Sequence, residues 1–204
     1  NEIFVTTKLW NDDVRSGNTR EALKKSLENL GLDYVDLYLI HWPAEGYVEA
    51  YLEMEKLQKE GLARSIGVSN FRKSHLQNLL SKVHIVPSIN QIETNPQMVD
   101  EETIQYCKEN KIGVEAWSPL GSGVCLNNPK IQEIANKYQK SSAQIILRWL
   151  LQKGIVILPK SVHENRIKEN IDLFNFVLEN EDVELINQLN QHKRTGPDPD
   201  NFDF

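Results

Sequence analysis

The chain has 204 residues, 40% hydrophobic and 25% charged, with 10 Gly and 8 Pro. Those proportions exclude collagen-like, low-complexity and fully disordered chains. Lys and Arg number 23 against 29 Asp and Glu, a net charge of -6, so no general attraction to nucleic acid or an anionic membrane is expected and any bound anion must meet a local positive cluster.

In chain order, short β-branched runs alternate with longer amphipathic segments. A first strand is expected at Ile3–Leu9 and a helix at Thr19–Leu30, where Ala22, Leu23, Leu27 and Leu30 fall at helical spacing and Gly31 stands at the C-terminal cap. The run from Asp36 to His41 is nearly all apolar, which suits a strand buried on both faces of a parallel sheet. A helix at Val48–Glu60, a strand at Arg64–Ser69 and a helix at Lys73–Ser81 follow. Next come a strand at Ser88–Ile92, a helix at Asp100–Asn110 and a strand at Gly113–Trp117. Helices at Pro129–Tyr138 and Ser141–Gln152, a strand at Ile155–Leu158, a short helix at Asn165–Asn170 and a last helix at Asn180–Asn190 complete the chain.

Repeated strand-then-helix units predict an α/β fold with right-handed crossovers. No G-x-G-x-x-G turn is present, so the rhythm favours a (β/α)8 TIM barrel over a Rossmann domain. Such a barrel has eight strands and about 250 residues; six strands are counted here. The expectation is therefore one barrel domain over residues 1–204, carrying about six of its strands and lacking two βα units at its front. No stretch approaches the ~20 apolar residues of a membrane span. Cys107 and Cys125 lack metal-ligand spacing, which argues against a disulfide scaffold or a zinc ribbon and for reduced thiols in the cytoplasm.

In a barrel, chemistry gathers at the C-terminal ends of the strands. The predicted strands end on Thr7-Lys8-Leu9-Trp10, His41-Trp42-Pro43, Ser69-Asn70, Asn90-Gln91 with Glu93, Trp117-Ser118-Pro119-Leu120 and Pro159-Lys160-Ser161. Singly, each of these residues has an ordinary structural explanation. Six strand ends that all carry polar, aromatic or cationic groups point to one functional rim.

These residues resemble the aldo-keto reductases, in particular the bacterial 2,5-diketogluconate reductase and methylglyoxal reductase type. The resemblance rests on the strand-end motifs, on Leu30-Gly31-Leu32-Asp33-Tyr34-Val35-Asp36-Leu37-Tyr38, on Ile66-Gly67-Val68-Ser69-Asn70-Phe71, and on Asn90-Gln91-Ile92-Glu93. It continues through Arg166-Ile167-Lys168-Glu169-Asn170 and the tail from Gly196 to Phe202. It implies NADPH-dependent reduction of small aldehydes and ketones, in a cytoplasmic protein that is monomeric at full length and binds no metal.

The resemblance also implies site roles. Lys8 and His41 match two members of a catalytic Asp, Tyr, Lys and His set, whose Asp and Tyr lie upstream in the family; proton delivery is thus expected from a tyrosine outside this chain. Ser69, Asn70 and Gln91 match the positions that hold the nicotinamide carboxamide, and Trp117 matches the ring on which nicotinamide stacks. Ser118, Leu120 and Ser122 correspond to the pyrophosphate loop. Lys160, Ser161 and Arg166 correspond to the 2'-phosphate site, with Glu169 and Asn170 near the adenine. Two cations and a hydroxyl suit a phosphate dianion. Trp10 and Trp42 would line the substrate pocket. Two local departures stand out: Thr94-Asn95-Pro96 replaces a frequent His before Pro, and only Ala44-Glu45-Gly46 follows Pro43 before Tyr47. Two other readings are a catalytically weak nucleotide-binding regulator on the same fold and an inactive truncated remnant.

Overall fold

A computed structural model describes residues 3–204. They form two compact units: residues 3–91, 102–113 and 199–204 make the first, and residues 92–101 and 114–198 the second.

The first unit is built on parallel strands β1 (Thr6–Leu9), β2 (Val35–Ile40), β3 (Ala63–Ser69) and the start of β4 (Ile89–Glu93). Every residue of β2 is buried, as its nearly all-apolar run requires for a strand covered on both faces. The helices are α1 (Asn11–Ser16), α2 (Thr19–Leu30), α3 (Tyr47–Lys59), α4 (Lys73–Leu80) and α5 (Glu101–Glu109). Gly31 ends α2 in the left-handed region at φ 66°, where glycine carries no Cβ penalty. Leu23 and Leu27 of α2, Tyr51, Met54 and Leu57 of α3, and Leu37, Leu39, Ile66 and Val68 of the strands are all buried. Each such side chain stabilises the fold by about 1.5–3 kcal/mol relative to exposure. Gly67 fits where a Cβ would lie 2.6 Å from the Ile89 carbonyl oxygen and 2.8 Å from a Leu39 methyl. Any side chain at Gly67 would push β4 away from β3.

At the opposite end of these strands from Ser69, Asp36 accepts from the Val5 amide at 2.9 Å and from Arg64 at 3.0 Å. The Arg64 guanidinium lies 4.0 Å above the Tyr34 ring. This end is held by ion pairing and cation–π contact, which leaves the other rim for chemistry.

The second unit pairs β5 (Gly113–Trp117) in parallel with β6 (Val156–Ile157). A 3₁₀ segment (Gly121–Asn127) follows β5, then α6 (Pro129–Tyr138), α7 (Ser142–Gln152), α8 (Glu164–Ile171) and α9 (Asn180–Asn187). Asn128 caps α6 by accepting from Lys130 and Ile131 amides, with Pro129 at the first helical position. Ser141 and Gln144 form a capping box on α7. The apolar face of α7, with Ile145, Ile146, Leu147, Trp149 and Leu150 buried, supplies the core. Ile167, Ile171 and Phe174 remain exposed.

The predicted elements are all present, with corrected bounds and two additions. The first strand begins at Thr6 rather than Ile3, and β6 spans two residues. Helix α1 and the 3₁₀ segment were not predicted; both are short and lack an apolar period. Among the described residues, no helix is long and apolar enough to cross a membrane.

Candidate active site

In the first unit, β1 and β2 bring Lys8 and His41 to one rim. Lys8 is in register with Leu39, and the His41 amide donates to the Leu9 carbonyl at 3.1 Å. Both side chains are half-buried. Burial first, and the Lys8 charge second, lower the His41 pKa to about 4. His41 is therefore a neutral imidazole near pH 7, able to donate one N–H and accept at the other nitrogen. Trp10 packs edge-on against His41 with ring centroids 5.1 Å apart. Trp42 is buried beside it, whereas Trp10 is 42% exposed.

The end of β3 carries a polar cluster. The Ser69 hydroxyl donates to the Gln91 carbonyl at 2.8 Å, and the Asn70 amide donates to the same oxygen at 2.9 Å. The Asn70 side-chain nitrogen donates to the His41 carbonyl at 3.0 Å and lies 3.2 Å from the Ser69 hydroxyl. Asn70 holds φ 63°, a left-handed conformation that Asn tolerates better than most residues. Ser69, Asn70 and Gln91 are all buried. One cluster thus fixes the backbone that carries His41 and presents side-chain amides at the same strand ends.

In the second unit, a cleft of about 680 Å³ gathers eight of the predicted cofactor residues: Ser118, Leu120, Ser122, Lys160, Ser161, Arg166, Glu169 and Asn170. Ser118 and Ser122 shape its loop. The Ser118 hydroxyl accepts from the Ser122 amide at 3.0 Å, and both residues hold positive φ. Ser161 accepts from the His163 amide at 3.1 Å. Glu169 is engaged by the Ser141 hydroxyl. Lys160 and Arg166, by contrast, form no ion pair with any described residue. Two cations without an ion-pair partner in one cleft of an acidic chain are chemically suited to a multiply charged anion. Trp117 is half-buried at the end of β5 and immediately precedes the cleft-lining Ser118 without lining the cleft itself.

The sequence matches the aldo/keto reductase family over residues 1–191. It is 49% identical to glyoxal reductase of Bacillus subtilis, with all of this chain aligned to 74% of that protein. It is also 49% identical to methylglyoxal reductase DkgA of Escherichia coli, with 98% of this chain covering 74% of the relative. A crystal structure of a Bombyx mori aldo-keto reductase in complex with NADP superposes at TM-score 0.91 and 42% identity, over 98% of this chain and 71% of that one. The chain belongs to the aldo/keto reductase family. It is an oxidoreductase by that membership, and its strand–helix alternation is that of the family's (β/α)8 barrel, with six strands among the described residues.

For an aldo/keto reductase, three groups of residues here carry more of the rim than sequence reasoning assigned them. The C-terminal Phe202 and Phe204 pack on the tryptophans: Trp42 lies 5.2 Å from Phe202 and 5.3 Å from Phe204, and Trp10 stacks on Phe204 at 5.9 Å. Asn11 and Arg15 donate to the Phe204 carbonyl, and Arg72 holds Asp200 at 3.0 Å. Glu93, fully buried, binds the segment Arg194–Gly196. The aromatic residues of the tail were a visible signal; the anchoring contacts span up to 193 positions and leave no local pattern. Asn95, at the departure before Pro96, is buried and accepts from the Gln97 amide and the Cys125 thiol.

Proposed function

We propose that this aldo/keto reductase uses NADPH to reduce small aldehydes and ketones, with methylglyoxal and 2,5-diketogluconate as the substrate types to examine first. The observation that carries the reading is the unpaired Lys160 and Arg166 in a cleft that also holds Ser161, Ser118 and Ser122. The cleft offers the 2'-phosphate two cations and a hydroxyl, and offers the pyrophosphate a serine-rich loop. Bound NADPH would supply a hydride to the carbonyl carbon.

The chain's own groups would do the rest. Neutral His41 donates an N–H to the carbonyl oxygen and so orients and polarises it. The charge of Lys8 favours the ionised form of a nearby phenol and so aids proton release. That phenol lies outside this chain in our reading. Tyr38 and Tyr51 are buried in the core with pKa values pushed up by burial, the Tyr47 hydroxyl is held by Asn78, and the Tyr138 hydroxyl by Asp182. Aromatic walls from Trp10, Trp42 and the tail would exclude water from a small substrate. Cys107 and Cys125 are buried and form no disulfide, which fits work in the reducing cytoplasm.

The test is incubation of the protein with NADPH and methylglyoxal. We expect the alcohol to form at the rate at which NADPH disappears. Tight NADPH binding without any alcohol, when the phenol-bearing segment is also present, would overturn the enzymatic reading and favour a nucleotide-binding regulator.

A further inference from the structure

We propose that Glu93 and Gly196 position the indole of Trp117, making the segment Arg194–Gly196 a backstop for the ring on which nicotinamide would stack. This rests on the cofactor reading above and adds residues that the family motifs did not assign.

Three observations carry it. First, the Glu93 side chain is fully buried at the end of β4. A buried carboxylate is tolerated only when well bonded. Its partners all come from one segment: the Thr195 amide and hydroxyl both donate to Oε1 at 2.6 Å, the Gly196 amide lies 3.4 Å from Oε2, and Arg194 lies 3.8 Å from Oε2. Second, Gly196 sits against the outer edge of the indole. A Cβ there would lie 2.4 Å from Cη2, 3.1 Å from Cζ3 and 3.4 Å from Cζ2 of Trp117. The demand for glycine comes from this close approach. Third, β4 and β5 are tied at the same level, since the Thr94 amide points to the Trp117 carbonyl at 3.4 Å. The buried carboxylate thus fixes the height of the tail, and the tail limits how far the indole can swing. Ring position matters because hydride transfer tolerates little misplacement.

The test is a double-mutant cycle read as NADPH and NADH dissociation constants, with thermal unfolding followed in parallel. Gly196→Ala is expected to weaken NADPH and NADH by the same factor, about tenfold or more, because the nicotinamide end is common to both. In a Trp117→Phe background, which removes the outer ring atoms, Gly196→Ala should change neither constant by more than about twofold. That loss of effect is the coupling a direct contact produces. If Gly196→Ala impairs folding, Thr195→Val removes one bond to Glu93 at nearly constant volume. It should weaken both nucleotides about threefold, and only when Trp117 is present. An equal penalty for either variant in both backgrounds would show that the tail acts elsewhere, and would overturn this inference while leaving cofactor binding intact. Absence of NADPH binding by the unmodified protein would instead sink the cofactor reading, and this inference with it.

Discussion

Replacing Lys8 with Met, in a protein that also carries the proton-donating phenol, is expected to lower kcat for carbonyl reduction by about 10²–10⁴-fold, the range for loss of a group that assists proton transfer. NADPH affinity should change by less than about threefold, because Lys8 is not among the residues that line the anion cleft. The variant also has a readout independent of turnover. Burial is the larger cause of the low His41 pKa of about 4, and the Lys8 charge is the smaller one. Removing that charge should raise the His41 pKa from about 4 while keeping it below the usual 6.5 or so. The sign for stability follows. Between the unfolded value near 6.5 and the folded value near 4, the unfolded chain holds a proton that the folded chain lacks. His41 therefore contributes stability at neutral pH that is lost as pH falls through that window, and Lys8→Met should lessen the loss. NMR titration of the imidazole checks both points. A His41 that titrates near 6.5 and ignores Lys8→Met, together with an unchanged kcat, would remove both residues from the mechanism.

Replacing Lys160 and Arg166 together with Ala should weaken NADPH by about 100-fold, or ~2.7 kcal/mol, while NADH changes by less than about threefold. Charge-assisted hydrogen bonds contribute about 1.5–3 kcal/mol each. The total is set below the sum because both side chains are exposed before a ligand arrives. No carboxylate competes for either cation in an ion pair among the described residues, so their charge is available to a phosphate. Higher salt should narrow the gap between the two nucleotides. Calorimetric titration of both nucleotides into both proteins decides the matter. Equal losses for NADPH and NADH would place the 2'-phosphate elsewhere.

Much of the architecture was legible because its causes are local. The nearly all-apolar run of β2 required two covered faces, and Gly31 marked the end of α2. The anion cleft was legible through resemblance rather than physics: Lys160 and Arg166 look like surface cations until the fold sets them beside Ser118 and Ser122. Helix α1 escaped notice because six residues, Asn11–Ser16, are too few to show a period. The 3₁₀ segment escaped because Ser122 and Gly123 break its φ/ψ run. The contacts of Glu93, Phe202 and Phe204 were hidden for another reason. Their partners lie far along the chain, and a single carboxylate or phenylalanine carries no sign of what a distant loop will bring to it.

The central claim, that this chain supports hydride transfer from NADPH to a small carbonyl, is tested most directly by isotope transfer. NADPH carrying deuterium at one face of nicotinamide C4 is incubated with the protein and methylglyoxal, and the alcohol is analysed by mass. The label from one face, and not from the other, is expected on the new carbinol carbon. Alcohol that carries no label from either face would contradict it.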